Sequence, residues 1–94
     1  MTRFSNSFAE QARSGGLTIE HEGRRFTIQR SDARSGLVTA YLEVVADGEV
    51  VGYFTEYGNN ESGAVRADML GFGAPRIFGV VEEALGYIAP AKSN

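Results

Sequence analysis

Residues 40–54 read AYLEVVADGEVVGYF, and the Asp47-Gly48 step inside them constrains this chain more than any other feature. Asp-Gly suits a two-residue hairpin turn in which both residues take positive φ, and here it lies between alternating β-branched and aromatic residues. With such a turn, Ala46 faces Glu49, Val45 faces Val50, Val44 faces Val51 and Glu43 faces Gly52. Further out, Leu42 meets Tyr53, Tyr41 meets Phe54, Ala40 meets Thr55 and Val38 meets Tyr57. One face is then Val38, Ala40, Leu42, Val44, Val51, Tyr53 and Tyr57. The other is Thr39, Tyr41, Glu43, Val45, Val50, Phe54 and Glu56, polar with an apolar and aromatic island.

A second hairpin reads from LTIEHEGRRFTIQR, residues 17–30, around Glu22-Gly23. Leu17, Ile19, Phe26 and Ile28 fall on one face, and Thr18, Glu20, Arg25, Thr27 and Gln29 on the other. A slip of one residue would scramble that sorting, so the register is well specified. Residues 4–14 have two readings. One is a short helix with Phe4, Phe8 and Ala12 in a stripe, a Ser7–Glu10 capping box and a stop at Gly15-Gly16. The other is a frayed terminus. SDARSG (31–36) and YGNNESG (57–63) read as loops rich in turn residues.

In the last third, Val65 and Met69 suggest a short helix ended by Gly71 or Gly73. Ile77, Val81, Ala84, Leu85 and Ile88 recur at helical spacing, with Pro75 in the first turn, so a longer helix is expected over 75–88. The expected architecture is α+β. A single four-stranded antiparallel sheet of two hairpins carries two C-terminal helices on one face. The whole chain, 1–94, forms one domain: an N-terminal segment (1–16), the sheet (17–57), the helices (62–88) and a tail (89–94). The sheet's second face is left to solvent, or to the N-terminal helix.

Composition narrows the function classes. A net charge of −3, with acids and bases interspersed, argues against nucleic-acid binding. There is no cysteine and one histidine, so no metal site or other cofactor is expected, and a reducing cytosol is the easier home. No apolar run approaches the length of a membrane span. Glu20, Arg25, Tyr41 and Glu43 could gather on the sheet, but a flat open face desolvates none of them for acid–base work. His21 reads as a rim histidine, and Asp68 has no evident partner. GFGAP (71–75) lacks the third glycine and the lysine of a phosphate loop. The helix–strands–helix order is roughly that of a double-stranded RNA-binding module. The last helix, with Glu82, Glu83 and only Arg76, lacks that module's basic surface. No enzyme is expected.

AYLEVVADGEVVG (40–52) and MLGFGAPRIFGVVEEAL (69–85) carry a resemblance. They resemble a family of small phage anti-CRISPR proteins of the type I-F class. The shared features are a strand opening on Ala with Glu three residues on, a Val pair, a Gly turn and Val-Gly, then a Gly-rich link and Arg-Ile. The resemblance implies a four-stranded sheet with two C-terminal helices that binds the backbone subunits of the CRISPR surveillance complex. It also implies that Glu43 matches a glutamate touching basic residues of that backbone. The family's two tyrosine positions fall near Glu20 or His21 and near Gln29, and the N-terminal helix is a departure.

The expected function is therefore a phage or mobile-element inhibitor in the bacterial cytoplasm. Its open sheet face would dock on Cas backbone subunits of a type I surveillance complex and block target DNA binding. Tyr41 and Phe54 would anchor, Glu20, Glu43 and Glu56 would meet basic residues, and Arg25 would complete the surface. The alternative is a homodimer that buries the same face.

Overall fold

A computed structural model describes residues 1–90; the expected tail lies outside the described residues from position 91 on. The elements run α1 (Asn6–Gly15), β1 (Leu17–His21), β2 (Arg24–Arg30), β3 (Arg34–Ser35), β4 (Val38–Thr39), β5 (Leu42–Ala46) and β6 (Glu49–Gly58). They continue with β7 (Glu61–Arg66), a 3-10 turn (Ala67–Met69), β8 (Arg76–Phe78) and α2 (Val81–Ile88). The fold is α+β and the sheet antiparallel, but the sheet has six strands in the order β1-β2-β5-β6-β7-β8, with β3–β4 as a separate two-stranded pair. The expectation of a single four-stranded sheet is corrected. So is that of two C-terminal helices, because one helix precedes the sheet and one follows it.

Three turns generate the sheet. Glu22-Gly23, Asp47-Gly48 and Asn59-Asn60 each place two consecutive residues at positive φ, the twist that matches paired strands. The first hairpin has the register its sequence demands, from Leu17↔Ile28 to His21↔Arg24. In the second, Ala46↔Glu49 and Val45↔Val50 pair as expected, and then the register shifts: Val44 faces Gly52 and Leu42 faces Phe54. Val51 is the extra residue of a β-bulge. From Gly52 to Phe54 the side chains of β6 change face, and a second irregularity before Tyr57 returns Tyr57 to the core side. Phe54 turns into the core and is fully buried, while Tyr53 moves to the opposite face, across from Glu43.

Phe54 receives the N-terminal segment. The Phe4 ring sits edge-on to Phe54 at 5.1 Å and to Phe8 at 5.5 Å. The helical reading of residues 4–14 therefore holds, with a different cap. Ser5, not Ser7, accepts the Phe8 N–H at 3.1 Å, and Gly16 (φ 83°) closes the helix by donating to the Ala12 carbonyl. The start of the chain is also tied to α2. Val81 N–H donates to the Thr2 carbonyl at 2.7 Å, and the Thr2 N–H and hydroxyl donate to the two Glu82 carboxylate oxygens at 2.7 and 2.9 Å. Both helices thus share one face, over a core of Phe4, Phe8, Phe26, Ile28, Leu42, Val44, Phe54, Val81, Leu85 and Ile88. Gly52 lets α2 approach, since a Cβ there would collide with Ile88 and lie 2.7 Å from the Val65 carbonyl oxygen.

The last third differs most from expectation. Residues 61–66 are a strand, paired to β6 and β8, and only Ala67–Met69 turn as a single 3-10 unit. Gly71 and Gly73 take positive φ and make the link a loop. Pro75 precedes an edge strand rather than opening a helix, and Gly79 separates that strand from α2. Ile77, expected in the buried helical stripe, lies on β8 and is half exposed. No helix among the described residues is long and apolar enough to cross a membrane.

Phe4→Ala should destabilise the protein by about 3–5 kcal/mol in urea unfolding, the range for emptying a buried aromatic site. A frayed terminus would show almost no change. Glu82 gives a pH-dependent signal. Burial acts to raise its carboxyl pKa, but the hydrogen bonds from Thr2 outweigh it and hold the pKa below the usual value. A depressed folded-state pKa contributes stability above the unfolded pKa that is lost as pH falls through the folded one. Glu82→Gln should therefore be less stable than wild type at neutral pH, and thermal melts should converge in acid below the ordinary carboxylate range.

Candidate functional site

With both helices on one side, the other side of β1, β2, β5 and β6 carries three rows of side chains. Glu20 and Arg25 form the outermost row, paired across the strands at 3.2 Å and both largely exposed. Thr18, Thr27, Val45 and Val50 form the next. Gln29, Glu43, Tyr53 and Val65 form the third. Gln29 Nε2 donates to Glu43 Oε2 at 2.7 Å, which fixes the carboxylate on the surface and leaves its other oxygen without a partner among the described residues. The exposed Glu20–Arg25 pair adds little to stability.

The face is not open everywhere. At its β7 end the second bulge of β6, between Phe54 and Tyr57, sets Thr55 and Glu56 opposite Gly63. A Cβ on Gly63 would lie 2.7 Å from Thr55 Oγ1 and 2.9 Å from Pro75 Cβ, so the 70–75 link closes over the sheet there. Gly71 packs against Ser35 of β3, joining that link to the β3–β4 pair. Val65 is buried, whereas Thr27, Gln29, Glu43, Val45 and Tyr53 stay half exposed.

The six expected contact residues divide accordingly. Glu20, Arg25 and Glu43 all lie on the bare face, with the Thr27–Val45 row between the ion pair and Glu43. Phe54 does not, because the bulge at Val51 turns it into the core, and it cannot anchor a partner. Tyr41 precedes β5 and packs against the core. Its hydroxyl donates to Ser62 Oγ at 2.8 Å, and its ring lies 6.2 Å from that of Tyr57. It serves the interior rather than the surface. Glu56 is exposed but belongs to a separate shallow groove with Glu61 and Ile77. Tyr53 is the aromatic residue the alternation missed. Its only signal is Gly52, whose lack of a side chain marks the place where a strand bulges or is closely approached. Among the described residues no three His, Asp or Glu side chains gather at one point.

No family model, curated protein or solved structure matches the chain.

Tyr41 offers a spectroscopic check on this placement. Burial pushes its hydroxyl pKa up to about 12, the Ser62 hydrogen bond opposes that rise, and Tyr57 adds to it. Ultraviolet titration should show a phase near pH 12 that is absent in Tyr41→Phe. A Tyr41 exposed as a docking anchor would lack that phase and titrate at the ordinary tyrosine value of about 10.

Proposed function

We propose that this protein is a small, non-enzymatic binding protein that docks the bare face of its sheet on another protein. The observation that carries the reading is the Glu43 carboxylate, held by Gln29 on a face that neither helix covers. Tyr53 and Val45 beside it supply an apolar centre, and Glu20 and Arg25 supply a charged rim. A central aromatic ringed by polar groups is how many transient interfaces are built.

The resemblance of residues 40–52 and 69–85 supports a target class: the basic backbone subunits of a type I CRISPR surveillance complex. Binding there would block target DNA, and the protein would act in the bacterial cytoplasm as a phage or mobile-element product. Glu43 is the residue through which resemblance and geometry meet. Self-association is a second reading, favoured by the exposed Val50 beside Val45 on the same face.

The test is a pull-down of the surveillance complex with the tagged protein, alongside Glu43→Ala and Tyr53→Ala, each checked for an unchanged melting profile. Tyr53→Ala should weaken binding by about 2 kcal/mol or more, roughly 30-fold. Folded variants that retain the complex as wild type does would remove the bare face from the account. A dimer in light scattering that Tyr53→Ala dissociates would give the face to self-association.

A further inference from the structure

The two edges of the sheet are treated differently. At one edge β8 is only three residues long and is followed by Gly79 and an isolated bridge between Arg3 and Val80, so little of it can accept another strand. At the other edge β1 runs for five residues, Leu17–His21, paired on one side only among the described residues. It has no proline and no bulge, and its one acidic side chain is engaged by Arg25. Such an edge presents a row of backbone N–H and C=O groups that another strand can complete.

A groove of about 420 Å³ lies beside that edge, between β1 and α1. Phe8, Leu17 and Ile19 give it an apolar lining. Ser7 and Gln11 of α1 stand on one lip, with Gln11 Nε2 donating to Ser7 Oγ at 3.4 Å. Arg3 is also among the lining residues, with its guanidinium Nη2 4.0 Å from where a Cβ on Gly79 would lie. It makes no ion pair among the described residues, and no acidic side chain lines the groove.

We propose that the β1 edge and the β1–α1 groove bind an extended peptide segment of another protein by strand addition. The peptide presents apolar side chains at alternate positions to Phe8, Leu17 and Ile19, and a carboxylate to Arg3. The backbone row requires an extended polypeptide, because its donors and acceptors alternate at the strand repeat. The groove requires alternate apolar side chains. The exposed Arg3 guanidinium, without an ion pair among the described residues, favours a peptide with an anionic end. A second copy of the chain fits less well. Pairing β1 with its own copy sets two concave grooves against each other and fills neither. This surface lies on the edge and helical side of the sheet, away from Glu43 and Tyr53, so it is independent of the docking face proposed above.

The experiment is selection of random short peptides displayed against the immobilised protein, followed by binding measurements with synthetic copies. Enriched peptides should alternate apolar and polar residues and carry an Asp or Glu at one end. Arg3→Gln should weaken them about tenfold, the scale of one hydrogen bond to a charged group. Ile19→Thr, which keeps a β-branched residue in the strand, should weaken them with no loss of cooperative melting. N-methylation of alternate peptide residues should abolish binding in one phase and spare it in the other, a pattern only strand pairing produces. Glu43→Ala should leave binding unchanged. The proposal is overturned if no peptide is enriched, if N-methylation in either phase is tolerated, or if light scattering finds a dimer that Ile19→Thr dissolves.

Discussion

One unpaired residue in β6 decides what this sheet can do. Without Val51 as a bulge, strict alternation would point Phe54 outward and Tyr53 inward, and Phe4 would lose the buried ring it packs against on the helical side. With the bulge, Phe54 is buried and Phe4 packs edge-on against it at 5.1 Å. A bulge costs one ladder pairing and bends the strand. Here that local loss is offset by moving a phenylalanine from water into the core, a change of about 2 kcal/mol or more in transfer free energy alone.

The consequences run in sequence. Because Phe54 faces the helical side, Phe4 and Phe8 are drawn there, and α1 covers β2 on that face. Because α1 lies there, the residues before it pass close to α2, where Thr2 meets Glu82 and Val81. The chain's beginning and its last helix are thus joined through one core, with Gly52 providing the close approach for Ile88. The opposite face is left with what the strands themselves supply: a held glutamate, a tyrosine, two valines and an exposed ion pair. Its freedom to bind follows from the placement of the helices rather than from any special property of its own residues.

What could be read in the chain beforehand follows the range of the interactions involved. Turns are local, and Glu22-Gly23 and Asp47-Gly48 could be read because two or three residues determine them. The first hairpin's register was legible because all its apolar residues sort to one face. Glu20, Arg25 and Glu43 were placed on the bare face for the same reason. The bulge was not legible, because Val50 and Val51 are equally apolar and either can face inward. Only the non-local pull of Phe4 on Phe54 separates the two registers. The Asn59-Asn60 turn was hidden by its setting. Gly63 interrupts the following strand, and Val65 and Met69 happen to lie four apart. Likewise Ile77 falls into the helical spacing of α2 while pairing as a strand with Gly63. In such short apolar segments periodicity cannot separate helix from strand, and the glycines at 71, 73 and 79 are the better guide.

The placement of glycine also explains why the two binding surfaces stay separate. Gly63 and Gly71 let the 70–75 link lie tightly over β7 and against Ser35, which closes the bare face at the end away from β1. A partner on that face must therefore approach over β1, β2, β5 and the start of β6, where Glu43 and Tyr53 lie. On the other side of the sheet, α1 stands over β2 rather than β1, leaving Leu17 and Ile19 half covered beside an edge unpaired among the described residues. One strand, β1, thus borders both surfaces. Its alternation divides them: Thr18 and Glu20 point to the bare face, and Leu17 and Ile19 to the groove. A change at one set of positions leaves the other set in place, so two partners could be selected for independently on a domain of this size.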